Sequence, residues 1–318
     1  MSEPSGSTVD LRAAAGVDEI RVAMELDGYL PDEGLATAVH LALQLRRPLL
    51  LEGEAGVGKT EVARSLARLS GGELIRLQCY EGIDVAQAVY EWDYSRQLLH
   101  LRATETAATV GGAGDLDVDS LEDELYTERF LVRRPLLRAV TTSTGPPPVL
   151  LIDEVDRADD EFEAFLLETL ADYAVTVPEL GTFTASVPPI VVLTSNRTRD
   201  VHDALKRRCL YHWIDHPGFD REVAIVRRRA ASVDESLARQ VAAMTERFRE
   251  LGLYKPPGVA EAIDWAVALS TLGTDRLDFD AARATLGTVL KYREDQERVL
   301  DLGLGTMVGD AMQRAAVV

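Results

Sequence analysis

The stretch from Gly53 to Thr60 has residue types and a spacing suited to holding a phosphate group. It follows an apolar run and has the pattern G-x-x-x-x-G-K-[ST], with the residues Gly53, Glu54, Ala55, Gly56, Val57, Gly58, Lys59 and Thr60. Glycines let the main chain wrap closely around a phosphate, and the loop amides and the following helix terminus then face the anion. Lys59 is expected to reach the β- and γ-phosphates of a nucleotide, and the Thr60 hydroxyl to bind Mg²⁺.

Two carboxylates, Asp153 and Glu154, follow the apolar run Val149–Ile152. The carboxyl end of a buried strand is the edge at which open α/β sheets bind ligands. Asp153 is expected to hold the metal, directly or through water, and Glu154 to polarise a water molecule for in-line attack on the γ-phosphate. A pair of acids after a strand is also typical of a helix N-cap. The phosphate loop about ninety residues upstream favours the catalytic interpretation.

A second apolar strand, Val192–Ser195, leads into Asn196. Asn196 is expected beside the γ-phosphate, where its amide would orient the attacking water. Three consecutive cations, Lys206, Arg207 and Arg208, come before the next predicted strand. Alone they indicate a solvated basic surface. Their position one strand after Asn196 is also where an arginine from a second subunit would be needed.

The elements that must position these residues alternate between apolar strands and helical patterns. This alternation predicts an α/β fold with a doubly wound, parallel five-stranded sheet that is buried on both faces. Strands are expected at 48–51, 73–79, 149–152, 189–194 and 210–214. Beyond residue 216 the strand signals cease, and helices are expected at about 220–231, 234–250, 259–271 and 278–298. A smaller, all-α C-terminal domain is therefore predicted after the sheet.

The predicted domain organisation begins with a flexible lead-in (1–27) and an α/β domain (28–216). A helical domain (217–300) and a C-terminal tail (301–318) follow. Within the α/β domain we expect an insert with hairpin or helix character at about 80–102. We also expect an acidic segment at 111–128 and a hairpin at about 174–186. A helix is expected from Arg129 to Val140. A solvated loop is the preferred interpretation of the acidic segment, and an acidic partner site is the alternative.

Composition restricts the class of partner. The 318 residues contain 34 Lys and Arg against 53 Asp and Glu, a net charge of −19. Nucleic acids and anionic membranes both require a basic face, so this acidity disfavours them. The 2 cysteines have no metal-binding spacing and fit a reducing cytoplasm. Because the N-terminus is polar and no apolar run reaches the length of a membrane span, a cytoplasmic location is expected.

Together the motifs resemble those of the AAA+ ATPases over roughly residues 30–300. Gly53–Thr60 resembles Walker A, Ile152–Glu154 resembles Walker B and Asn196 resembles sensor 1; Arg207 and Arg208 match the arginine-finger region. The insert and the hairpin are similar to the helix-2 insert and presensor-1 hairpin of the MoxR branch. The stretch Asp203–Asp215 further resembles the CoxD-like group of that branch.

This resemblance implies a P-loop ATPase that uses ATP and Mg²⁺ and works as a homo-oligomeric ring, usually a hexamer. It implies a chaperone that remodels or matures a protein client, with molybdenum-containing carbon monoxide dehydrogenase as a possible client and a von Willebrand A-domain protein as partner. Arg208 is implied as the finger that acts on a neighbouring subunit, with Arg207 as the alternate. A nucleotide-gated scaffold with little turnover, a helicase-like nucleic-acid motor and a small-molecule kinase are the competing hypotheses.

The helical domain departs from the family pattern at one position. Many relatives carry a sensor-2 arginine at the start of the third helix of this domain, whereas Gly258–Glu261 contains no arginine. Either another arginine such as Arg283 serves, or the helical domain responds to nucleotide in a different way.

Overall fold

The computed structural model describes residues 11, 13, 16–111, 124–142 and 144–316. Most of the predicted acidic segment, from 112 to 123, lies outside the described residues. The same holds for most of the predicted lead-in before residue 16.

Parallel strands form the main sheet, as predicted. The strands of the described chain are β1 (Leu49–Glu52), β2 (Leu74–Gln78), β3 (Tyr90–Trp92), β4 (Leu131–Arg133), β5 (Val149–Asp153), β6 (Ala174–Val177), β7 (Gly181–Thr184), β8 (Ile190–Ser195) and β9 (Leu210–Trp213). Within that part of the chain, five of them make one parallel sheet in the order β2-β5-β8-β1-β9. Every residue of β1, β5 and β8 is buried, as both faces of a covered parallel sheet require. The predicted α/β fold class is confirmed.

Helices surround the sheet and make up the region after it. They are α1 (Val17–Asp27), α2 (Glu33–Leu45), α3 (Lys59–Ser70), α4 (Val85–Val89), α5 (Tyr94–Gly111), α6 (Pro135–Thr141), α7 (Asp160–Asp172), α8 (Asp203–Arg208), α9 (Phe219–Arg229), α10 (Glu235–Arg249), α11 (Val259–Thr271), α12 (Phe279–Val289), α13 (Arg293–Asp301) and α14 (Leu304–Ala316). Across the described residues, no helix combines the length and apolarity that a membrane crossing demands.

The described chain divides into two compact units. The first is drawn from Ala38–Leu50 and Leu66–Tyr211, and the second from Ala14–Thr37, Leu51–Ser65 and His212–Val318. Each unit has its own apolar core. The core of the first contains the inward side chains of β2, β5 and β8 with those of α6 and α7. The core of the second is built from α9 to α14.

Two segments that the sequence analysis placed outside the two predicted domains are helical. Residues 17–27, placed in the flexible lead-in, form α1, and Ile20 and Met24 on one face of it are buried. Residues 304–316, placed in a tail, form α14, whose buried side chains Leu304, Met307, Val308 and Ala311 join the core of the second unit. In both segments the apolar residues recur at three- and four-residue spacing, which places them on one helix face.

The stretch from Arg129 to Val140 is not one helix, contrary to the prediction. A 3₁₀ turn at Glu128–Phe130 leads into β4, and α6 begins only at Pro135. Strand β4 pairs antiparallel with β3, with Trp92 opposite Leu131. The pairing partner lies about forty residues away, so a local pattern could not indicate this strand. Elsewhere in the chain, β6 and β7 form an antiparallel hairpin at the position expected for one.

An ion pair lies inside the second unit, between α9 and α10. Both terminal nitrogens of Arg249 contact the Glu222 carboxylate at 2.7 Å, and the Glu222 side chain is 0 % exposed. Burial raises the pKa of Glu222 above its ordinary value, against the opposing effect of Arg249. Desolvation therefore dominates at this carboxylate, which depends on its partner to remain charged.

Replacing Arg249 should consequently destabilise the protein. We expect Arg249→Met to lower the free energy of unfolding by about 3–5 kcal/mol, because Glu222 would remain buried without its partner. Urea unfolding followed by circular dichroism measures the loss. Arg293→Met is the matched control, since Arg293 forms an exposed pair with Glu297 and its loss should leave stability essentially unchanged. Equal unfolding midpoints for the two variants would contradict the role of the buried pair.

Candidate active site

The phosphate loop connects β1 to α3, and Lys59 forms hydrogen bonds to main-chain carbonyl groups of this loop. Lys59 is buried, and its Nζ donates hydrogen bonds to the carbonyl oxygens of Gly53 at 2.8 Å and Glu54 at 2.7 Å. Gly56 and Gly58 have φ angles of 80° and 97°, a region that favours glycine. The loop thus has the tight curvature that its sequence predicted, with the lysine drawn toward its centre.

A cavity of about 200 Å³ adjoins the phosphate loop within the second unit. Its apolar wall includes Tyr29, Leu30, Val57, Ile225 and Ile263. Burial raises the pKa of the Tyr29 phenol well above its ordinary value, so this side chain stays neutral. A largely apolar pocket with a few charged groups at its edge is typical of small-molecule sites.

Two arginines of α9, Arg221 and Arg229, also line this cavity. Arg229 Nη1 lies 3.3 Å from the carboxylate of Glu61, and Arg221 Nη2 donates to the carbonyl oxygen of Leu30 at 2.8 Å. The sequence analysis assigned neither arginine to the nucleotide site. Because each contacts a fixed acceptor, both guanidinium groups are held at the cavity wall.

Asp32, just before α2, carries a negative charge in contact with Arg221, one of the arginines that line the cavity. His212 Nε2 lies 3.3 Å from Asp32 Oδ1, and Arg221 Nη1 lies 3.5 Å from Oδ2. The contact with His212 is the largest cause that lowers the pKa of Asp32 to about 2, and the amide of Leu35 and the charge of Arg221 act in the same direction. The carboxylate is therefore ionised throughout the physiological pH range.

Asp153 ends β5 in the first unit with both carboxylate oxygens engaged. The Thr194 hydroxyl donates to Oδ1 at 2.5 Å. The Arg76 guanidinium donates to Oδ2 through Nε at 2.9 Å and through Nη2 at 2.6 Å. The side chain of Asp153 is only 5 % exposed, so Arg76 supplies its compensating charge.

Glu154, the next residue, lies close to Asn196. Asn196 Nδ2 is 3.4 Å from Glu154 Oε1, while Gln78 Nε2 and Arg157 Nη1 each lie 3.2 Å from Oε2. The backbone of Glu154 is left-handed, with a φ of 55°, and its amide donates to the Thr194 hydroxyl at 2.9 Å. Glu154 therefore has a defined position at the end of β5, with three polar side chains around its carboxylate.

A buried acid, Asp156, fixes the loop that carries Asn196. Its carboxylate accepts hydrogen bonds from the amides of Asn196 at 3.2 Å and Thr198 at 2.8 Å, and from the Thr198 hydroxyl at 2.7 Å. The sequence analysis missed Asp156. The available signal was a third acid, two residues after Glu154 and still close to the carboxyl end of the apolar strand.

The two candidate finger arginines, Arg207 and Arg208, end α8 and are exposed. Arg47 fixes this helix end by donating to the carbonyl oxygen of Arg207 at 2.6 Å and to that of Arg208 at 3.0 Å. Arg208 Nη1 donates to the carbonyl oxygen of Leu167 at 3.3 Å. The backbone of both residues is thus fixed, while both residues are exposed to solvent.

The stretch Gly258–Glu261, where the sequence lacks an arginine, lies at the phosphate loop. The amide of Val259 donates to the carbonyl oxygen of Gly56 at 3.0 Å. Arg283, named as a possible substitute, is exposed on α12 and is not among the described residues that line the cavity.

The model of the AAA domain family (dynein-related subfamily) matches residues 48–209, which is half of the chain. The chain belongs to this AAA family. Its AAA domain contains the phosphate loop, both candidate carboxylates, Asn196 and the two candidate finger arginines. The match identifies the AAA family and does not distinguish the MoxR branch or its CoxD-like group.

Three proteins are similar to the AAA protein over most of its length. An uncharacterized protein of Staphylococcus epidermidis is 22 % identical over 81 % of this chain and 90 % of its own. Among solved structures, a point mutant of Thermotoga maritima RuvB is similar with a TM-score of 0.46 and 14 % identity, over 94 % of this chain and 84 % of the other. A candidate ATPase from Cytophaga hutchinsonii has a TM-score of 0.46 and 13 % identity, over 94 % and 93 %.

Proposed function

We propose that this AAA protein is a Mg²⁺-dependent ATPase in which Glu154 activates the attacking water and Asn196 orients it. The observation that carries the proposal is the 3.4 Å contact between Glu154 Oε1 and Asn196 Nδ2. A carboxylate beside an amide can accept a proton from water while the amide fixes the water's direction. The support from Gln78 and Asp156 gives both groups defined positions, which positioning of a nucleophile requires.

In this function the loop Gly53–Thr60 binds the phosphates of ATP, with Lys59 exchanging its contacts to loop carbonyls for contacts to phosphate oxygens. The adjoining cavity accepts the apolar face of the base, beside Tyr29 and Ile263. Thr60 and Asp153 supply the hydroxyl and carboxylate oxygens that Mg²⁺ prefers. When bound, the ion neutralises charge on the phosphate oxygens.

The residues present fit Mg²⁺ rather than an ion held by protein ligands alone. In the part of the chain that the structure describes, no group of three or more His, Cys, Asp or Glu could hold a metal. Mg²⁺ is usually bound by one or two carboxylates together with substrate phosphates and water, and Asp153 and the Thr60 hydroxyl are oxygen ligands of the kind that such a site uses.

We further propose that the protein is a cytoplasmic chaperone of the MoxR branch, in its CoxD-like group, that assembles into a homo-oligomeric ring such as a hexamer. The exposed Arg207 and Arg208 support assembly, because each could reach ATP in a neighbouring subunit. The net charge of −19 favours a protein client over nucleic acid. Molybdenum-containing carbon monoxide dehydrogenase as client and a von Willebrand A-domain partner rest on the resemblance of Asp203–Asp215 alone.

A nucleotide-gated scaffold is the second candidate function. The lack of an arginine in Gly258–Glu261 favours it, since hydrolysis would then have one cation fewer to stabilise charge on the transferred phosphoryl group. Both functions require ATP binding, and only the ATPase requires turnover, so a steady-state phosphate-release assay separates them.

Replacement of Lys59 tests the binding half of the proposal. Lys59→Ala should weaken ATP binding by about 100-fold, because a charged donor to two phosphate groups is lost. Titration with a fluorescent ATP analogue measures the change. Lys291→Ala is the matched control, since the Lys291 side chain is exposed and donates to the carbonyl oxygen of Thr288. If Lys59→Ala bound the analogue as tightly as Lys291→Ala, the loop would not be the phosphate site.

A further inference from the structure

The first turn of α11 lies directly against the phosphate loop, and main-chain atoms of the two segments are in contact. Besides the hydrogen bond from Val259 to Gly56, a Cβ atom placed on Gly258 would lie 2.8 Å from the carbonyl oxygen of Ala55 and 2.8 Å from the Cα of Gly56. Real Cβ atoms essentially never approach other heavy atoms so closely. Only glycine at position 258 therefore permits this arrangement of Gly56, Gly258 and Val259, called here the loop–helix contact.

The backbone conformation of Gly258 does not itself require glycine. Its φ of −82° and ψ of −175° lie in the extended region that every residue can adopt. Gly56 differs, because its φ is 80° and a Cβ on it would also lie 3.1 Å from the Cα of Gly258. Close approach to the loop, rather than local conformation, is thus the reason for glycine at position 258.

Buried charge fixes the chain that leads into Gly258. Arg249, which forms the buried pair with Glu222, also donates through Nε to the carbonyl oxygen of Pro257 at 2.8 Å. On the other side, the amide of Gly258 donates to Glu261 Oε2 at 3.0 Å. The fold therefore anchors the residues on both sides of the loop–helix contact, and the contact does not depend on a mobile surface side chain.

We propose that Gly258 is a positioning residue for nucleotide binding, because it lets the first turn of α11 hold the phosphate loop in its binding conformation. This inference rests on the proposed function of Gly53–Thr60. Gly258 acts through Gly56 and does not touch the nucleotide. A displacement of the first turn of α11 is transmitted to Gly56 through main-chain atoms. The helix and the loop therefore move together when nucleotide binds, although Gly258–Glu261 contains no arginine.

The test compares Gly258→Ala with Gly218→Ala. Both glycines precede the first residue of a helix and both are extended, but a Cβ on Gly218 would meet nothing within 4 Å. We expect Gly258→Ala to raise the dissociation constant of a non-hydrolysable fluorescent ATP analogue by about tenfold or more, since small displacements of a positioned group are costly. Gly218→Ala should stay within about twofold of wild type.

A measurement without nucleotide reports the contact itself. In the nucleotide-free protein, the Val259 amide should be protected from hydrogen exchange in wild type and in Gly218→Ala, and should lose that protection in Gly258→Ala. Amides inside α10 should remain protected in all three proteins, because that helix lies in the core of the second unit.

A second substitution decides the matter if Gly258→Ala does not fold. Val259→Pro removes the amide that donates to Gly56, and proline is well tolerated at the first position of a helix. Glu235→Pro is its control, because Glu235 is the exposed first residue of α10. Val259→Pro should weaken binding of the analogue as Gly258→Ala does, and Glu235→Pro should not.

The outcomes distinguish a failure of the proposed ATP binding from a failure of the role of Gly258. Wild-type protein that fails to bind the analogue would overturn the proposed function. Wild-type protein that binds it, together with folded Gly258→Ala or Val259→Pro that binds equally well, would overturn only the role of Gly258.

Discussion

Glu154→Gln should bind ATP within a fewfold of wild type and hydrolyse it about 10²–10⁴ times more slowly, the usual contribution of a general base. Glutamine keeps the size of the side chain and one acceptor oxygen for the Asn196 amide. Its NH₂ group cannot accept the hydrogen bond from Gln78, and the side chain cannot accept a proton from water. Phosphate release at saturating ATP, together with a binding titration, measures the two effects separately.

The matched control for this variant is Glu168→Gln. Glu168 is an exposed glutamate on α7, and neutralising it should leave both turnover and binding unchanged. Normal phosphate release by Glu154→Gln would refute its assignment as the base. Wild-type protein with tight ATP binding and no turnover above that of Glu154→Gln would instead favour the nucleotide-gated scaffold.

The second large effect is expected at the end of α8. Arg208→Ala should lower turnover by about 10³–10⁵ if this arginine stabilises charge on the transferred phosphoryl group of a neighbouring subunit. Arg207→Ala is the alternate, and the accessible guanidinium groups of both residues make the comparison necessary. Arg293→Ala serves as the surface control, since that side chain is 85 % exposed. The variant with the larger loss identifies the finger.

Mixing of subunits tests whether the arginine acts across an interface. In a ring assembled from Arg208→Ala and Glu154→Gln subunits, some interfaces would combine an intact arginine with an intact glutamate. The mixture is therefore expected to turn over ATP faster than either variant alone. The same mixing is done with Arg207→Ala. Mixed rings that form, as size-exclusion chromatography would show, yet hydrolyse no ATP at any ratio would exclude a trans-acting role for either arginine.

The phosphate loop and the polar ends of β5 and β8 could be predicted because their signals are local. The glycine, lysine and threonine spacing of Gly53–Thr60 is characteristic of a phosphate-binding loop and of few other structures. Asp153–Glu154 and Asn196 each directly follow a buried apolar run. Each of these segments determines its own conformation, and the parallel sheet brings the ends of β5 and β8 to one edge. The meeting of Glu154 with Asn196 was therefore accessible from the sequence.

The partners of these residues could not be predicted, because they come from another strand. Arg76 and Gln78 lie on β2, where polar residues alternate with apolar ones as on any solvent-facing strand. Only the pairing of β2 with β5 places Gln78 opposite Asp153. The strand β4 was missed for a similar reason, since its pairing with β3 overrides the helical tendency of the residues around it.

The backbone at the ends of β5 and β8 has a consequence for the evolution of stability in this molecule. Among the described non-glycine residues with positive φ are Glu154 at 55° and Arg197 at 56°, one in each of the two segments that meet at the candidate site. A residue held in this region costs about 1–2 kcal/mol relative to a relaxed backbone. Selection for thermal stability alone would relieve this strain with glycine or asparagine at position 154. Under the proposed role of Glu154, glutamate at this position gives up folding free energy for a carboxylate in a fixed orientation, a trade-off between stability and activity.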